Sequence, residues 1–402
     1  MITKAVLMCA GKSTRTWPLT VNKPKPLLKI ANKTLLHHTL DTIAEFVDEV
    51  ILIVGYKKDM MQEHIEDYKK NLQLKITLVE QKEQLGTGHA LLQAKDLVSG
   101  KFLLLGGDDF FAKEDIKMCL ENDLAILLQQ SEIPEQFGTV LTNDCCVVEI
   151  MEKHPEPQTN LVNTGCYVLD ERIFELLSKV EKSKRGEIEL TSGLNLLAKE
   201  AKIKTITTDK WVALTHPWDL LGANEILLNA LVEDDDCVKG KVEEGATIKG
   251  PVIIGEGTVV KAGAYIEGPV IIGEGCDIGP NCYIRPCTTI GNRCKVGNAV
   301  EVKNSILFDD AKVGHLSYIG DSVLGFGCNM GASTITANLK HNNQNVWTTV
   351  KGELINTGRR KFGTIIGDKV HTGIHTSIYP GRKLWPDTMT LPGEVLNKDK
   401  TS

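Results

Sequence analysis

An aliphatic residue recurs at every sixth position of the C-terminal half: Val242, Ile248, Ile254, Val260, Ile266, Ile272, Ile278, Ile284, Ile290, Val296 and Val302. A second column, two residues ahead of it, holds small or β-branched side chains such as Ala246, Val252, Thr258, Ala264, Cys276 and Cys282. A helix would show a period near 3.6 and a strand a period of 2. A six-residue period predicts a hexapeptide β-helix, in which each step lays down one short strand and one corner. Gly255, Gly273, Gly279 and Gly291 follow the aliphatic column, where a corner needs a permissive backbone. The pattern predicts a register slip near Phe308 to Val313. Thr336 to Arg360 is a polar, Asn- and Lys-rich insertion, and the repeats resume around Ile366 and Ile378. A loop protruding from a rigid solenoid is a natural place for a site.

Residues 1–231 have another rhythm. KAVLMCA, EVILIVGY, KITLVEQ and KFLLLGGDD are apolar runs of strand length, whereas LLHHTLDTIAEF, DMMQEHIEDYKKNL and GHALLQAKDLV are amphipathic. Alternating strands and helices predict a mostly parallel, Rossmann-like sheet with helices on its faces. Trp218 to Val232 reads as the last helix. The expected organisation is an α/β domain over 1–231, a linker over 232–240 marked by the acidic stretch Val232 to Cys237, and a left-handed parallel β-helix over 241–402.

Composition narrows the partners. The chain has 402 residues, 42% hydrophobic and 24% charged, with net charge −6, so neither nucleic acid nor an anionic membrane is an expected partner. No apolar run reaches transmembrane length. MITKAVLMCAG runs straight into a Gly-containing loop and reads as a buried first strand, not a signal peptide. There are 11 cysteines but no CxxC pair. Cys276, Cys282 and Cys294 sit in the small column of the solenoid, and unpaired buried thiols suit a reducing cytoplasm.

The chemistry of the first half starts where its first strand ends. Ala10-Gly11-Lys12-Ser13-Thr14-Arg15 is followed by Pro18-Leu19-Thr20 and Lys23-Pro24-Lys25-Pro26-Leu27-Leu28. A Gly-containing turn after a strand exposes N–H groups to phosphate oxygens, and Arg15 and Lys25 add positive charge. The GxxxxGK spacing of a P-loop is absent. This string resembles the AGxGTRxxPLTxxxPKPLLxI motif of sugar-1-phosphate nucleotidylyltransferases. Gln81 with Glu83 to Ala90, Gly107-Asp108-Asp109, Gly138, Glu152-Lys153 and Asn163-Thr164-Gly165 are similar to further segments of that family. The resemblance implies that a sugar 1-phosphate attacks the α-phosphate of a nucleoside triphosphate and expels pyrophosphate. Arg15 and Lys25 would be catalytic. Ala10, Gly11, Ser13, Gln81, Gly86 and Thr87 would bind nucleotide, Gly138, Glu152 and Asn163 the sugar phosphate, and Asp108 would hold Mg²⁺. Two positions depart from the family. Ser13 stands where a second Gly is usual, and Ala213 stands where an acid usually closes the metal site, with His216 and Asp219 as nearby substitutes.

The solenoid carries a second string. It includes Tyr283-Ile284-Arg285, Glu301-Val302-Lys303, Gly314-His315 through Tyr318 to Asp321, Asn329 to Ala332 and Thr334 to Asn338. This resembles the acetyltransferase half of the bifunctional glucosamine-1-phosphate acetyltransferase / N-acetylglucosamine-1-phosphate uridylyltransferases. Val350-Lys351-Gly352 through Lys361 and Ile366-Gly367-Asp368 are similar to the archaeal-type members. An amine attacking acetyl-CoA needs a base that titrates near neutrality, and the resemblance assigns that role to His315. It implies that Arg285 and Lys303 clamp the sugar phosphate and that Tyr318, Asn329 and Asn338 orient the sugar. The acetyl-CoA residues would be Ala332, whose N–H faces the thioester oxygen, and Arg359 and Arg360, which face the coenzyme A phosphates. The same family implies a homotrimer whose small-molecule substrates are UTP, sugar 1-phosphates and acetyl-CoA. Three other readings stay open on sequence. One is an acetyltransferase with a nucleotidylyltransferase domain silenced at Ala213. Another is a sugar-1-phosphate thymidylyl- or uridylyltransferase of broader specificity on a scaffold β-helix. The last is a non-enzymatic regulatory subunit.

Overall fold

The computed structural model describes residues 4–69, 74–232 and 237–402. Acidic residues 233–236 of the expected linker lie outside the described residues. Packing divides the chain into two units: 1–12, 24–27 and 35–213 form one, and 13–23, 28–34 and 214–402 form the other.

The first unit is built on a nine-stranded sheet. Its parallel half runs in the order Lys75–Glu80, Glu49–Val54, Lys4–Met8, Lys101–Gly106. The first strand in sequence is therefore internal, and the chain crosses from one side of it to the other. That reversal opens a crevice at the carboxyl ends of Lys4–Met8 and Lys101–Gly106, where open α/β sheets bind ligands. The four strands are the four apolar runs read from the sequence. The three inner ones, Glu49–Val54, Lys4–Met8 and Lys101–Gly106, are buried on both faces, as covered parallel strands must be, whereas the edge strand Lys75–Glu80 is only half-buried. The second half of the sheet is largely antiparallel. Leu161–Asp170 pairs antiparallel with Lys101–Gly106 and Ala125–Gln130, and the hairpin Gly138–Asn143/Cys146–Glu152 closes the far edge. The helices Leu35–Ile43, Lys58–Lys69 and Thr87–Leu92 match the amphipathic runs. The last is shorter than its pattern and passes into a 3₁₀ turn, Lys95–Leu97.

The second unit is the β-helix. Strands fall in rotation into three parallel sheets of six, eight and seven strands. Val242, Val260, Ile278 and Val296 are neighbours in one sheet, so each coil is three hexapeptides. The aliphatic column forms the core, with Ile254, Ile266, Ile278, Ile284 and Ile290 completely buried. Small second-column residues tie successive coils together through polar contacts. Thr258 Oγ1 donates to Gly273 O at 2.6 Å and accepts from Cys276 N at 2.9 Å. At the corner, a Cβ on Gly273 would lie 2.7 Å from the Gly291 carbonyl carbon, so the coils approach too closely for a side chain.

The expected slip lies elsewhere. Five-residue steps occur from Val302 to Leu307 and from Ile319 to Leu324, and the pairings Ile290↔Leu307 and Leu307↔Leu324 absorb them. Phe308 is itself buried at a corner, which makes it look like a column residue in the sequence. The polar insertion contains a β-hairpin, Trp347–Val350 with Glu353–Asn356. Leu324 then pairs with Ile366, so the solenoid resumes in register beyond it. The helix Asp219–Asn229 packs within this unit. Its buried Asn224 accepts from Ala31 N (3.1 Å) and Thr289 Oγ1 (2.7 Å) and donates to Cys287 O (3.0 Å). Residues of the signature segment are held in the same way: Lys29 pairs with Asp309 at 2.7 Å and Lys23 with Asp368 at 2.9 Å. All 11 cysteines are free, and no described helix is long and apolar enough to cross a membrane.

Candidate active sites

The first unit gathers its predicted site residues at the carboxyl ends of its parallel strands and, for Gly138 and Asn163, at the starts of antiparallel ones. Gln81 is buried and donates Nε2 to Gly86 O at 3.1 Å, which fixes the loop that precedes the helix Thr87–Leu92. Gly86 has φ +105°, and a Cβ there would lie 2.6 Å from Ile188 O. Thr87 Oγ1 accepts from Leu190 N at 3.2 Å. Gln84 Nε2 then reaches Ala10 O at 2.8 Å and joins this loop to the turn after the first strand. Gly11 and Lys12 are exposed at that turn. Across the crevice, Gly107 N donates to Met8 O at 3.2 Å. A side chain at Gly107 would overlap Cys9 Sγ, so the Asp108 turn can approach the first strand only as glycine. Cys9 is buried beside Asp108, and both burial and that carboxylate push its thiol well above the ordinary range, which makes it structural.

Asp108 pairs with the buried Lys25 Nζ at 2.8 Å, and Asp109 lies 3.9 Å from the same ammonium. One cation thus holds two carboxylates at the strand end, and Asp108 keeps a free, partly exposed edge for a metal. Val212 pairs with Phe110, and Ala213 packs against the apolar core of this unit, so it adds no ligand. His216 and Asp219 contact each other: Asp219 Oδ2 accepts from His216 N at 2.7 Å, and His216 stacks on Trp218. Among the described residues no three metal-binding side chains converge. The oxygen chemistry of Asp108 fits Mg²⁺ provided that substrate phosphates and water complete the shell.

Gly138, Glu152 and Asn163 meet on adjacent strands. A Cβ on Gly138 would lie 3.1 Å from Glu152 Oε2 and 3.8 Å from Asn163 Cβ, so the glycine leaves room for a ligand between two polar side chains. Asn163 donates to Tyr167 Oη at 2.6 Å and accepts from Gly165 N at 3.0 Å. Desolvation raises the Glu152 carboxyl above the ordinary range, against the opposing pull of Lys153 and Arg185. Arg185, absent from the sequence-based assignments, lies 3.6 Å from Glu152 and is anchored on Glu189 at 2.8 Å.

Ser13 and Arg15 belong to the second unit. Ser13 adopts a left-handed backbone (φ 48°, ψ 49°), the conformation that glycine adopts without strain. Three donors converge on its carbonyl: Thr16 N at 3.0 Å, Thr16 Oγ1 at 2.7 Å and Thr20 Oγ1 at 2.9 Å. Arg15 is exposed.

The β-helix brings four of its expected residues together. Arg285 follows the strand Tyr283–Ile284, Lys303 ends the strand Glu301–Lys303 stacked on it, and both line a cavity of about 320 Å³ with Glu225, Cys287 and Asn304. Arg285 is held on Glu301 at 2.8 Å. Lys303 Nζ sits 3.1 Å from Asp321 Oδ2, which also accepts from Asn338 Nδ2, while Asn304 Nδ2 reaches Asp321 Oδ1 at 2.8 Å. Asn338 also donates to Tyr318 Oη at 3.0 Å. Burial and the Asp321 charge raise the Tyr318 hydroxyl, so it stays a phenol. Gly320 lies beneath it, and a Cβ there would overlap the Tyr318 ring.

Asp321, only 2% exposed, is therefore the hub of this cluster, and sequence reasoning gave it no role. Asn304, Asp321 and Asn338 are spaced by 17 residues, one shortened coil each, and that spacing is the signal that would have found them. His315 is exposed at the corner beside Asn298 of the preceding coil. Asn329 lies apart from the Tyr318 cluster, in a cavity of about 310 Å³ lined with Lys312, Lys369 and His371. Ala332 O accepts from His375 N at 2.8 Å. Arg359 turns inward onto Glu225, and Arg360 reaches Asn343 at 3.4 Å.

Comparison with known proteins draws on both units. The nucleotidyl transferase family model matches residues 4–230, and that of the GMPPB C-terminal domain matches 266–381. The chain is 44% identical to the Bifunctional protein GlmU of Methanocaldococcus jannaschii, over 94% of this chain and 91% of that one. The chain belongs to the GlmU family of nucleotidyl transferases. Family members in Methanococcus maripaludis strain C7 (45% identical, over 98% of this chain and 95% of that one) and Sulfurisphaera tokodaii (38%, 98% of each) also align end to end. The latter is named a bifunctional sugar-1-phosphate nucleotidylyltransferase/acetyltransferase. Among solved structures, a UDP-glucose pyrophosphorylase complexed with UDP-glucose matches with TM-score 0.52 at 22% identity, over 57% of this chain and 99% of that one, a likeness of fold.

Proposed function

We infer that this protein is a bifunctional enzyme. It transfers an acetyl group from acetyl-CoA to glucosamine 1-phosphate and then UMP from UTP to the N-acetylglucosamine 1-phosphate formed, releasing pyrophosphate. One observation carries the reading: relatives named bifunctional align with nearly the whole chain, and each unit holds its own constellation of polar side chains. Acetyl transfer alone is disfavoured because those relatives are named bifunctional, and the name of the Sulfurisphaera tokodaii relative states both a nucleotidylyltransferase and an acetyltransferase.

In acetyl transfer, Arg285 and Lys303 bind the phosphate, and Tyr318 and Asn338 orient the sugar. His315 takes the amine proton as the N–C bond forms, and the C–S bond breaks to release coenzyme A. Ala332 N–H, Arg359 and Arg360 are assigned to acetyl-CoA, and Asn329 to the sugar. His315 and Asn329 stand outside the Tyr318 cluster, so we assign completion of this site to a neighbouring copy in a homotrimer. The exposed Leu316, Ile335, Ile374, Tyr379, Leu391 and Val395 of the last coils supply an apolar contact surface for it.

In uridylyl transfer, Gln81 and Gly86 read the base, Thr87 and the Ala10 to Ser13 turn cradle the nucleotide, and Arg15 and Lys25 neutralise the phosphates. Gly138, Glu152 and Asn163 hold the sugar. Mg²⁺ on Asp108 would offset the charge that develops on the phosphate oxygens. The small-molecule substrates and the free buried thiols fit a cytoplasmic enzyme.

The test uses two variants and two assays. His315→Ala should abolish coenzyme A release and leave pyrophosphate release intact, while Asp108→Ala should do the reverse. Loss of both activities in either folded variant would refute separate sites.

A further inference from the structure

One ladder of outward side chains on the β-helix changes character at Lys312. On the preceding coils its charges are matched: Asp277 stands between Lys261 and Lys295, paired with the first and 3.4 Å from the second. Lys295 then stacks in register on Lys312, Lys312 on Asn329, and Asn329 on His371, so no acid follows. Like charges placed directly opposite on neighbouring strands repel, and this stacking leaves Lys312 without compensation. Among the described residues neither Lys312 nor Lys369 forms an ion pair.

Both lysines border the cavity of about 310 Å³ that holds Asn329, and every residue of its wall belongs to the β-helix unit. The space exists because Gly327, at φ +65°, places no side chain between Asp310 on one coil and Lys369 on the next. The corner is fixed: Phe326 N donates to Asp368 Oδ1 at 2.9 Å, and Lys369 N to Phe326 O at 2.7 Å. The one acid in the wall, Asp310, is already neutralised by Arg293 through bonds of 2.9 and 2.7 Å. Two unmatched cations, the Asn329 amide and the His371 imidazole therefore face one concave space, with the half-exposed Phe326 ring at its edge. A phosphate group supplies the acceptors that such a set of donors lacks.

We propose that Lys312, Lys369 and His371 form a phosphate-binding subsite of the β-helix unit, separate from the Arg285 and Lys303 cavity, and that its ligand is a phosphate ester. The acetyl-transfer reaction supplies two such esters, coenzyme A and glucosamine 1-phosphate. Lys312 and His315 begin and end one strand, so the subsite lies about 10 Å along the sheet from the assigned base. A role in turnover rests on the acetyl-transfer reading, whereas anion binding by the cavity does not depend on it. The two lysines hold substrate and carry no bond-making step.

The experiment compares full-length wild type with Lys312→Ala, Lys369→Ala and Lys369→Arg. Calorimetry measures binding of coenzyme A, dephospho-coenzyme A and glucosamine 1-phosphate, and coenzyme A release gives kcat and the KM of each substrate. Losing one charge-assisted contact should weaken binding of one ester, and raise its KM, about tenfold in either Ala variant. Lys369→Arg should recover most of the loss, with kcat and melting temperature unchanged throughout. A loss confined to coenzyme A and absent with dephospho-coenzyme A places the 3′-phosphate in the subsite, and an equal loss with both places the diphosphate there. A loss confined to glucosamine 1-phosphate places the sugar phosphate there. Unaltered binding and KM for both esters in both Ala variants would overturn the proposal. So would an equal loss in Lys369→Arg, or a loss accompanied by a lower melting temperature, because either points to a structural role. Wild type that binds an ester through these lysines yet releases no coenzyme A would sink the acetyl-transfer reading and leave an anion site.

Discussion

Asp321 concentrates more of the acetyltransferase cluster than any assigned substrate residue. Replacing it with Ala removes the acceptor of Lys303, Asn304 and Asn338 in one step. The carboxylate is 2% exposed, whereas the Lys303 side chain keeps 19% of its surface. Breaking a fully buried ion pair costs about 3–5 kcal/mol. Allowing for the partial access of Lys303 to water, the loss for Asp321→Ala is roughly 2–4 kcal/mol. The β-helix should melt earlier, and Lys303, freed from its anchor, should no longer meet the sugar phosphate in a fixed place. KM for glucosamine 1-phosphate should rise and kcat/KM for coenzyme A release should fall by roughly 10–100-fold. Pyrophosphate release should be unaffected. Asp321→Asn preserves shape and the contact with Asn304 but removes the charge that holds Lys303. It should melt closer to wild type and still show the higher KM, which keeps the test valid if the Ala variant folds poorly. Wild-type melting together with wild-type KM in both variants would refute the hub.

Two further predictions concern geometry and protonation. Gly320→Ala should displace the Tyr318 ring and break its contact with Asn338, worth about 1 kcal/mol, and so cut acetyl transfer about fivefold; a crystal structure of the variant with that contact intact and full activity would contradict it. The Glu152 carboxyl is raised by desolvation, so the folded protein binds more protons than the unfolded chain just above the ordinary carboxylate range, and stability falls as pH rises through that window. Glu152→Gln should flatten this slope in denaturant titrations from pH 4 upward and weaken sugar 1-phosphate binding; an unchanged slope would remove Glu152 from the account.

The β-helix was legible because its core is periodic: one aliphatic residue per six fills the interior, and nothing else in the chain imitates that spacing. The slip was misplaced because a buried corner residue, Phe308, has the same chemistry as a column residue. The parallel strands were legible as apolar runs bounded by polar turns. The antiparallel half was not, since Gly138–Asn143 and Cys146–Glu152 are half-buried edge strands with mixed composition. Local strings exposed the Gly11 turn and Gly107-Asp108, whose residues adjoin in sequence. The Asp321 hub and the inward turn of Arg359 onto Glu225 were hidden. Both join residues one coil or more apart, and their significance depends on which side chains stack. The packing of 13–23 with the β-helix unit was hidden for the same reason.

The most direct measurement supplies purified protein with glucosamine 1-phosphate, acetyl-CoA, UTP and Mg²⁺ in one vessel, and follows coenzyme A, pyrophosphate and the sugar nucleotide together. The account predicts that UDP-N-acetylglucosamine accumulates, with coenzyme A release preceding pyrophosphate release. Coenzyme A release without pyrophosphate, even when N-acetylglucosamine 1-phosphate is supplied directly, would contradict it and leave a single-function acetyltransferase.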